Sequence, residues 1–368
     1  ATGTTKDIYH KTIAKSVGGK NSLRVSCEDE LLSIQKKAKE ILRVFIEEKQ
    51  YKQIAPYIDA LEEVKKQTLK KTLNDLLNNS VKNNNASFLT TAYPEFFDTN
   101  PVSFTIKYKY NSKNYPYITI TSIQDFISSL TKDVNISKIK IIGNDEEGNP
   151  VTLAYSLLDY LIAEIEYKGN KYVYSWKKWF CIKTDYRKEL ISKIKKNIKD
   201  FTTTFNFPIY KKYLNDQRVL TYNEGKYNEE VFNNHSDYLL LDKKLIDYSK
   251  SQKIEIADAL SKNNEYICIK RMKDSATMSH LFMQGIVSAT LLRNDEKFKE
   301  TVKELKTNKW KLNDIAIPNP YFVFTIPSSK NGDIIDNLFF FSQITLDKTI
   351  KEISYLGYNI GICKIECE

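Results

Sequence analysis

Glu255 and Lys270 stand fifteen residues apart, one inside "KIEIAD" and the other inside "YICIKR". Both stretches read as strands, and a short polar turn between them brings their ends side by side. A carboxylate placed there can hold a hard divalent cation through oxygen ligands, with water completing the shell. A lysine beside it can stabilise charge developing on a phosphate or help to deprotonate an attacking water. The chemistry these residue types point to is metal-assisted hydrolysis of a phosphate ester. Arg271 follows the lysine directly. A polar turn then leads into "SATMSHLFMQG", a helix that starts near the same end and offers Ser275, Ser279 and Gln284 to a phosphate backbone. The plainer alternative makes Lys270 and Arg271 the charged surface end of a strand. On that reading Glu255, flanked by Ile254 and Ile256, is an ordinary outward-facing strand residue.

Other chemistries fit less well. Ser279 and His280 are adjacent, so on a helix they diverge by about 100° and do not form a nucleophile–base pair. No Gly-x-Ser-x-Gly elbow and no glycine-rich phosphate loop occur. The five cysteines (Cys27, Cys181, Cys268, Cys363, Cys367) include no CxxC pair, and only His10, His235 and His280 could join them, which argues against zinc. Cys363 and Cys367 read as one strand thiol and one tail thiol.

The elements that must carry the candidate groups run from about residue 222 onward. "YNEGKYNEEVFNNHS" reads as a helix entered at Tyr227-Asn228. "DYLLLDKKLIDY", "KIEIADAL" and "NEYICIKRM" read as three strands, and "TMSHLFMQGIVSATLLRNDEKFKETVKELK" as one long helix. "PYFVFTIPSS" is a strand, "SQITLDKTIKEISYLG" a helix and "YNIGICKIE" a last strand. This order predicts an α+β protein with a mixed β-sheet flanked by helices.

Upstream, residues 29–79 read as two amphipathic helices. Leu31, Ile34, Ala38, Ile41, Leu42 and Phe45 recur at helical spacing in the first, and an Asn-rich loop closes the second. Residues 87–182 alternate in strand fashion, with a hairpin turn expected at Gly169-Asn170. The expected division is a helical region over 1–85, a β-rich region over 86–205 and a C-terminal domain over 206–368.

Two stretches combine basic and aromatic or apolar residues. "YVYSWKKWF" interleaves Tyr174, Trp176 and Trp179 with Lys177 and Lys178, a pattern suited to stacking on bases. Its plainer reading is an amphipathic strand with inward aromatics. "YRKELISKIKKNIKDF" is a basic helix whose Lys193, Lys195, Lys196 and Lys199 cannot all be buried; it either faces solvent or tracks a phosphate backbone.

The chain has 368 residues and a formal net charge of +10, from 56 Lys+Arg against 46 Asp+Glu. Such charge favours an acidic partner. The same abundance of Lys, Asn, Ile and Tyr accompanies AT-rich coding sequence, so the charge by itself weighs little. No apolar run approaches a membrane span. An odd cysteine count and no secretory leader lead us to expect a reducing cytoplasm. The opening "ATGTTKDIYH" lacks a methionine, so a trimmed or replaced start is expected.

"IEIADALSKNNEYICIKR" resembles the core of the PD-(D/E)xK restriction-endonuclease-like nucleases, especially the Mrr-type branch. There an acid on one strand precedes a QxKR on the next, and the following helix carries a glutamine. The resemblance covers residues 222–292. It puts Glu255 at the first acid, Cys268 at the Gln or Glu, Lys270 at the catalytic lysine and Gln284 near the helix glutamine. Cys268 departs from the pattern, because a neutral thiol is a poor ligand for Mg²⁺. Asp242 on the preceding strand is then the best further metal ligand beside Glu255, ahead of Glu229, Glu230 and Asp258. Strand alternation puts Asp258 on the face opposite Glu255 unless the strand bends or ends there.

From about residue 18 onward the chain also resembles an uncharacterised, sporadically distributed bacterial family often encoded near restriction and phage-defence genes. "GGKNSLRV", "EIEYKGNKYVYSWKKWFCI", "YNEEVFNNHSDYLLLDKKLI" and "SATMSHLFMQGIVSATLL" carry that likeness. Together the resemblances imply Mg²⁺-dependent cleavage of DNA in antiviral defence. Asp242 and Glu255 would hold the metal and Lys270 would act on the phosphate. Arg271, Ser275, Ser279, Gln284, Lys177, Lys178, Lys195 and Lys196 would bind nucleic acid. The alternative is an inactive nuclease-like fold that binds or senses DNA and recruits a partner effector. A third reading is a structural or inhibitor-like protein. No membrane partner is expected, and a dimer is compatible with this reading.

Overall fold

A computed structural model describes residues 60–83, 88–94, 101–130, 134–233, 235–242, 252–310 and 320–368, with segments 2–4, 16–19, 23–26, 31–46 and 245–249. His10 and Cys27 lie outside the described residues. The protein is α+β, with helices flanking mixed and antiparallel sheets.

The alternation between Leu89 and Ile182 becomes two antiparallel sheets. One has four strands, in the order Asn111–Tyr115, Ser103–Tyr108, Lys140–Asn144, Tyr155–Ser156. The other has five, in the order Leu61–Glu63, Lys178–Ile182, Asn170–Ser175, Leu161–Tyr167, Leu89–Thr91. Helices Gln67–Lys82 and Ile120–Ser128 share their core through Leu73, Leu77, Ile123 and Phe126. The first of these helices runs into the expected Asn-rich loop, as far as Lys82, because Val81 is buried in that core. The central hairpin turns on Lys168 and Gly169, both with positive φ (50° and 75°), as the tight two-residue turn requires. Asn170 is already a strand residue opposite Tyr167, one place later than the sequence suggested.

The C-terminal body is a six-stranded mixed sheet. Its strands are β1 (Lys199–Asp200), β2 (Tyr238–Leu240), β5 (Ala259–Ser261), β6 (Glu265–Ile269), β7 (Tyr321–Ser328) and β8 (Asn359–Glu366). The order is β1-β8-β7-β6-β5-β2. Strands β2, β5 and β6 are antiparallel, while β6, β7, β8 and β1 run parallel. A separate hairpin, β3 (Leu245–Ser249) with β4 (Gln252–Glu255), stands between β2 and β5. The two strands expected over 237–248 and 253–260 are therefore each divided, and the hairpin leaves the sheet.

Helices cover both faces of this sheet. On one side α3 (Ser275–Asn294) packs on β6 and β7, and α5 (Phe340–Tyr355) packs on β8, on α3 and on α1 (Thr184–Lys196), enclosing Met278, Leu281, Phe282, Phe324 and Ile353. On the other, α2 (Glu224–Phe232) brings Tyr227 and Phe232 onto Ile267, Ile269 and Val323. Strand β7 is buried from Phe322 to Ser328, which is why it reads as an unbroken apolar run. A Cβ at Gly285 would stand 2.6 Å from Phe324 Cε1, so glycine permits the close approach of α3 to β7. The single long helix expected from Thr277 breaks at Asp295, whose side chain accepts the Phe298 N–H at 2.8 Å and starts α4 (Glu296–Lys309).

Candidate metal and phosphate site

The site grows from the break between β4 and β5. Leu241 and Asp242 both donate their backbone N–H groups to the Asp258 carbonyl, at 2.8 and 2.9 Å. Asp258 in turn donates its own N–H to the Ile267 carbonyl at 2.9 Å. Two residues farther along, the Ile269 N–H is met by Asp258 Oδ2 at 2.7 Å. The aspartate side chain thus takes over the ladder where the backbone of β5 has turned away. Its other oxygen accepts from Asn228 Nδ2 at 3.0 Å.

This arrangement corrects the expectation that Asp258 faces away from Glu255. Strand alternation holds only along an unbroken strand, and β4 ends at Glu255. Ligand oxygens of Asp242, Glu255 and Asp258 all lie within 4.8 Å of one another. Burial pushes the Asp258 carboxyl well above its usual range, against the Ile269 N–H, and the charges of Glu224, Glu255 and Asp242 add to the rise. A cation offsets that crowding of negative charge. Octahedral Mg²⁺ with bonds of about 2.1 Å spaces opposite oxygens by about 4.2 Å. Oxygens as far as 4.8 Å apart must draw in to meet that limit, and the donor set is all oxygen, as a hard cation prefers.

Lys270 continues β6 beside β7, with its N–H on the Thr325 carbonyl at 3.0 Å. Its Nζ meets Glu224 Oε1 at 2.7 Å. Burial alone would lower the ammonium's pKa. The Glu224 hydrogen bond and the charges of Glu224, Asp258 and Glu255 outweigh it, so the net direction is upward. A lysine held protonated is a fixed cation, suited to a phosphate oxygen and unsuited to act as a base.

Two residues that sequence reading missed complete the arrangement. Helix α2 begins at Glu224, a turn earlier than expected, because the Asn223 side chain caps it through the Lys226 N–H at 3.0 Å. Glu224 and Asn228 then stand four apart on one face, one reaching Lys270 and the other Asp258. The asparagine before "EGKYN" is the signal that could have found them. Of the acids considered earlier, Glu230 is engaged by Lys211 at 2.6 Å and Tyr213 at 2.9 Å, and Glu229 is exposed.

Cys268 is fully buried in the apolar core under α3 and is not among the clustered ligand atoms. Burial, then the charges of Asp258 and Glu255, push its thiol well up, so it stays protonated. The remaining candidates have varied surroundings. Arg271 stacks its guanidinium 4.3 Å from the centre of the Tyr222 ring. Ser275 is buried and shares a 3.1 Å hydrogen bond with Ser342, while Ser279 donates to the Ser275 carbonyl at 2.9 Å. Gln284 is half-buried, one turn before Ser288, whose hydroxyl lies 3.5 Å from the Glu255 carbonyl.

The basic-aromatic stretches have local partners. Lys177 pairs with Asp159 at 2.7 Å, Lys178 with Glu63 at 2.8 Å, and Lys195 with Asp333 and Asp336 at 3.1 and 3.0 Å. Lys196 is exposed. Tyr174 and Trp179 are buried in the core of the two antiparallel sheets, and Trp179 donates to Asn74 at 2.8 Å, which is the plainer reading of that strand. Trp176 alone of the three aromatics is exposed, on the turn it forms with Lys177. Among the described residues no helix is long and apolar enough to cross a membrane.

No curated protein and no solved structure matches this chain. One family model, described as "Family of unknown function (DUF6119)", matches residues 1–366, and the chain belongs to that family.

Proposed function

We propose that the chain is a DNA-binding, metal-dependent nuclease-like protein that cleaves phosphodiester bonds in antiviral defence inside the cytoplasm. The observation that carries this reading is the meeting of three carboxylates within 4.8 Å beside a lysine held at 2.7 Å by Glu224. Glu255 ends β4, in the hairpin outside the sheet, Asp258 directly precedes β5, and Lys270 follows β6 ahead of α3. Acid, lysine and helix thus share the chain order of the PD-(D/E)xK resemblance, although Glu255 itself stands off the sheet. Asp242, Glu255 and Asp258 would hold Mg²⁺, which when bound polarises a phosphoryl oxygen and lowers the pKa of water. The chain's own groups do the rest. Asn228 and the Ile269 N–H fix the orientation of Asp258. Glu224 aims the Lys270 ammonium, which neutralises charge gathering on the scissile phosphate.

The test uses purified protein and its Lys270→Ala variant, with Mg²⁺ or Mn²⁺, on linear and circular DNA. Wild-type protein should cut, chelator should stop it, and the variant should be slower by about 10²–10³. A second reading, an inactive nuclease-like fold that recruits an effector, is favoured by one observation: a protonated, fully buried thiol at Cys268 where an acid is expected. Salt-sensitive DNA binding without cutting in either protein would sink the first reading and leave the second.

A further inference from the structure

Beyond Lys270 the chain enters a cleft of about 790 Å³. Residues 271–274 and 327–330, at the carboxyl ends of the parallel strands β6 and β7, form one wall. Thr90, Thr119 and Thr121 of the antiparallel-sheet body form the other. Clefts outside the carboxyl ends of parallel strands are where such sheets bind ligands, and this volume suits a small-molecule site. A cleft of small-molecule volume cannot enclose a duplex, which is many times larger than one nucleotide.

The cleft carries three cations: Arg271, Lys273 and Lys330. Its one lining carboxylate, Asp274, is already engaged by the Thr277 N–H at 2.7 Å and hydroxyl at 2.8 Å. Arg271 is immobilised against Tyr222, yet its Nε is buried with no hydrogen-bond partner among the described residues. That nitrogen is sealed from the cleft, so an anion there would meet the remaining guanidinium N–H groups of this half-buried residue. Lys330 has only a long contact of 3.4 Å to the Asn337 carbonyl, and its ammonium lies 5.0 Å from the Phe339 ring centre. Burial lowers its pKa, opposed by Glu164 and Glu166, and a bound anion would restore it. The hydroxyls of Thr90, Thr121 and Ser329 also take no partner among the described residues. Phe339, 7 % exposed, adds only an aromatic edge to the same wall.

We propose that this cleft binds a phosphorylated nucleoside, as one nucleotide of a single nucleic-acid strand whose neighbouring phosphodiester reaches the carboxylate site. The second half of that statement rests on the nuclease reading; occupancy of the cleft does not. The phosphate meets Arg271 and Lys273, and Phe339 and the hydroxyls receive the nucleoside. Because the cleft excludes a duplex, the preferred substrate is single-stranded or locally opened.

Binding is measured in chelator, by fluorescence anisotropy with a labelled oligothymidylate, a duplex of equal length, and thymidine 5′-monophosphate as competitor. Lys273→Glu changes an exposed residue and Lys330→Met keeps the alkyl stem, and matched melting temperatures confirm folding; Lys140→Glu, at an exposed strand position outside every candidate binding stretch, controls for net charge. The single strand should bind about tenfold tighter than the duplex, and each cleft variant should weaken it about tenfold, with a smaller slope of log affinity against log salt. Lys140→Glu should leave both unchanged. If only the mononucleotide binds, and is lost in the cleft variants, the cleft holds a free nucleotide and the strand assignment is overturned. Equal affinity in wild type and both cleft variants overturns the site itself. Strand binding without metal-dependent cutting removes the nuclease reading and keeps the cleft. Cutting that ignores both cleft variants does the reverse.

Discussion

Asp258 is the residue on which the site turns, and its two oxygens have different duties. One closes the β5–β6 ladder on the Ile269 N–H, and the other holds Asn228. Replacing it by alanine leaves two buried donors without acceptors, at a cost of about 2–4 kcal/mol. Asp258→Asn behaves differently. The new amide oxygen can still accept from Ile269, and the Asn228 side chain can turn over, because its Oδ1 has no partner among the described residues. That variant should stay within about 1 kcal/mol of wild type in urea denaturation. Both variants should lose divalent-cation affinity in calorimetric titration. Equal destabilisation by alanine and asparagine would sink this account of the aspartate's two bonds. Glu255, Asp242 and Lys270 were legible in the sequence because their residue types announce their chemistry. Asp258 was not, since reading its face by alternation presupposes a continuous strand.

At the scale of elements, caps and buried runs were legible, while the breaks that create the site were not. The β7 run "YFVFTIPS" declared a strand covered on both faces. The excursion of the β3–β4 hairpin depends on pairing between residues distant in sequence, where local pattern carries no signal. Helix α4 shows another tertiary effect. Its Lys306 is drawn onto the sheet edge, donating to Asn264 Oδ1 with its ammonium 5.4 Å from the Tyr266 ring centre. Burial pulls its pKa down from 10.5 to about 8. Below pH 8 this group is charged in folded and unfolded chains alike, so the full burial penalty applies. Between 8 and 10.5 the folded state sheds the proton first, the unfolded state binds more protons, and stability rises with pH. Lys306→Met should therefore stabilise the protein at neutral pH by about 1–3 kcal/mol, less what the Asn264 bond contributed. The gain should shrink by about pH 9.5 in paired denaturation curves. A gain that stays constant with pH would assign the effect to packing alone.

At the scale of the whole molecule, a polar contact joins the antiparallel-sheet body to the mixed-sheet body beside the apolar ones made by Val173 and Ile182. Helix α5 begins at Phe340, after Phe339, which supplies no side-chain cap. The missing acceptor comes from Glu164 on the central antiparallel hairpin. Its two oxygens take the N–H groups of Phe340 at 2.6 Å and Phe341 at 3.1 Å. A carboxylate at a helix start is favoured by both hydrogen bonding and the helix dipole. Burial nonetheless raises the Glu164 pKa beyond what those two bonds recover, so the contact is retained at some cost. Glu164→Ala leaves two enclosed donors unmet and should cost about 2–4 kcal/mol; Glu164→Gln keeps one acceptor and should cost about half as much. The consequence reaches past stability. Phe339 and Lys330 enter the cleft from the mixed-sheet body and Thr90 and Thr119 from the other, so losing the clamp lets its walls separate. Glu164→Ala should then weaken oligonucleotide binding although Glu164 does not line the cleft, and its urea unfolding should split into two transitions. A single transition with unchanged midpoint and unchanged binding would show that the bodies are joined by their apolar contacts alone.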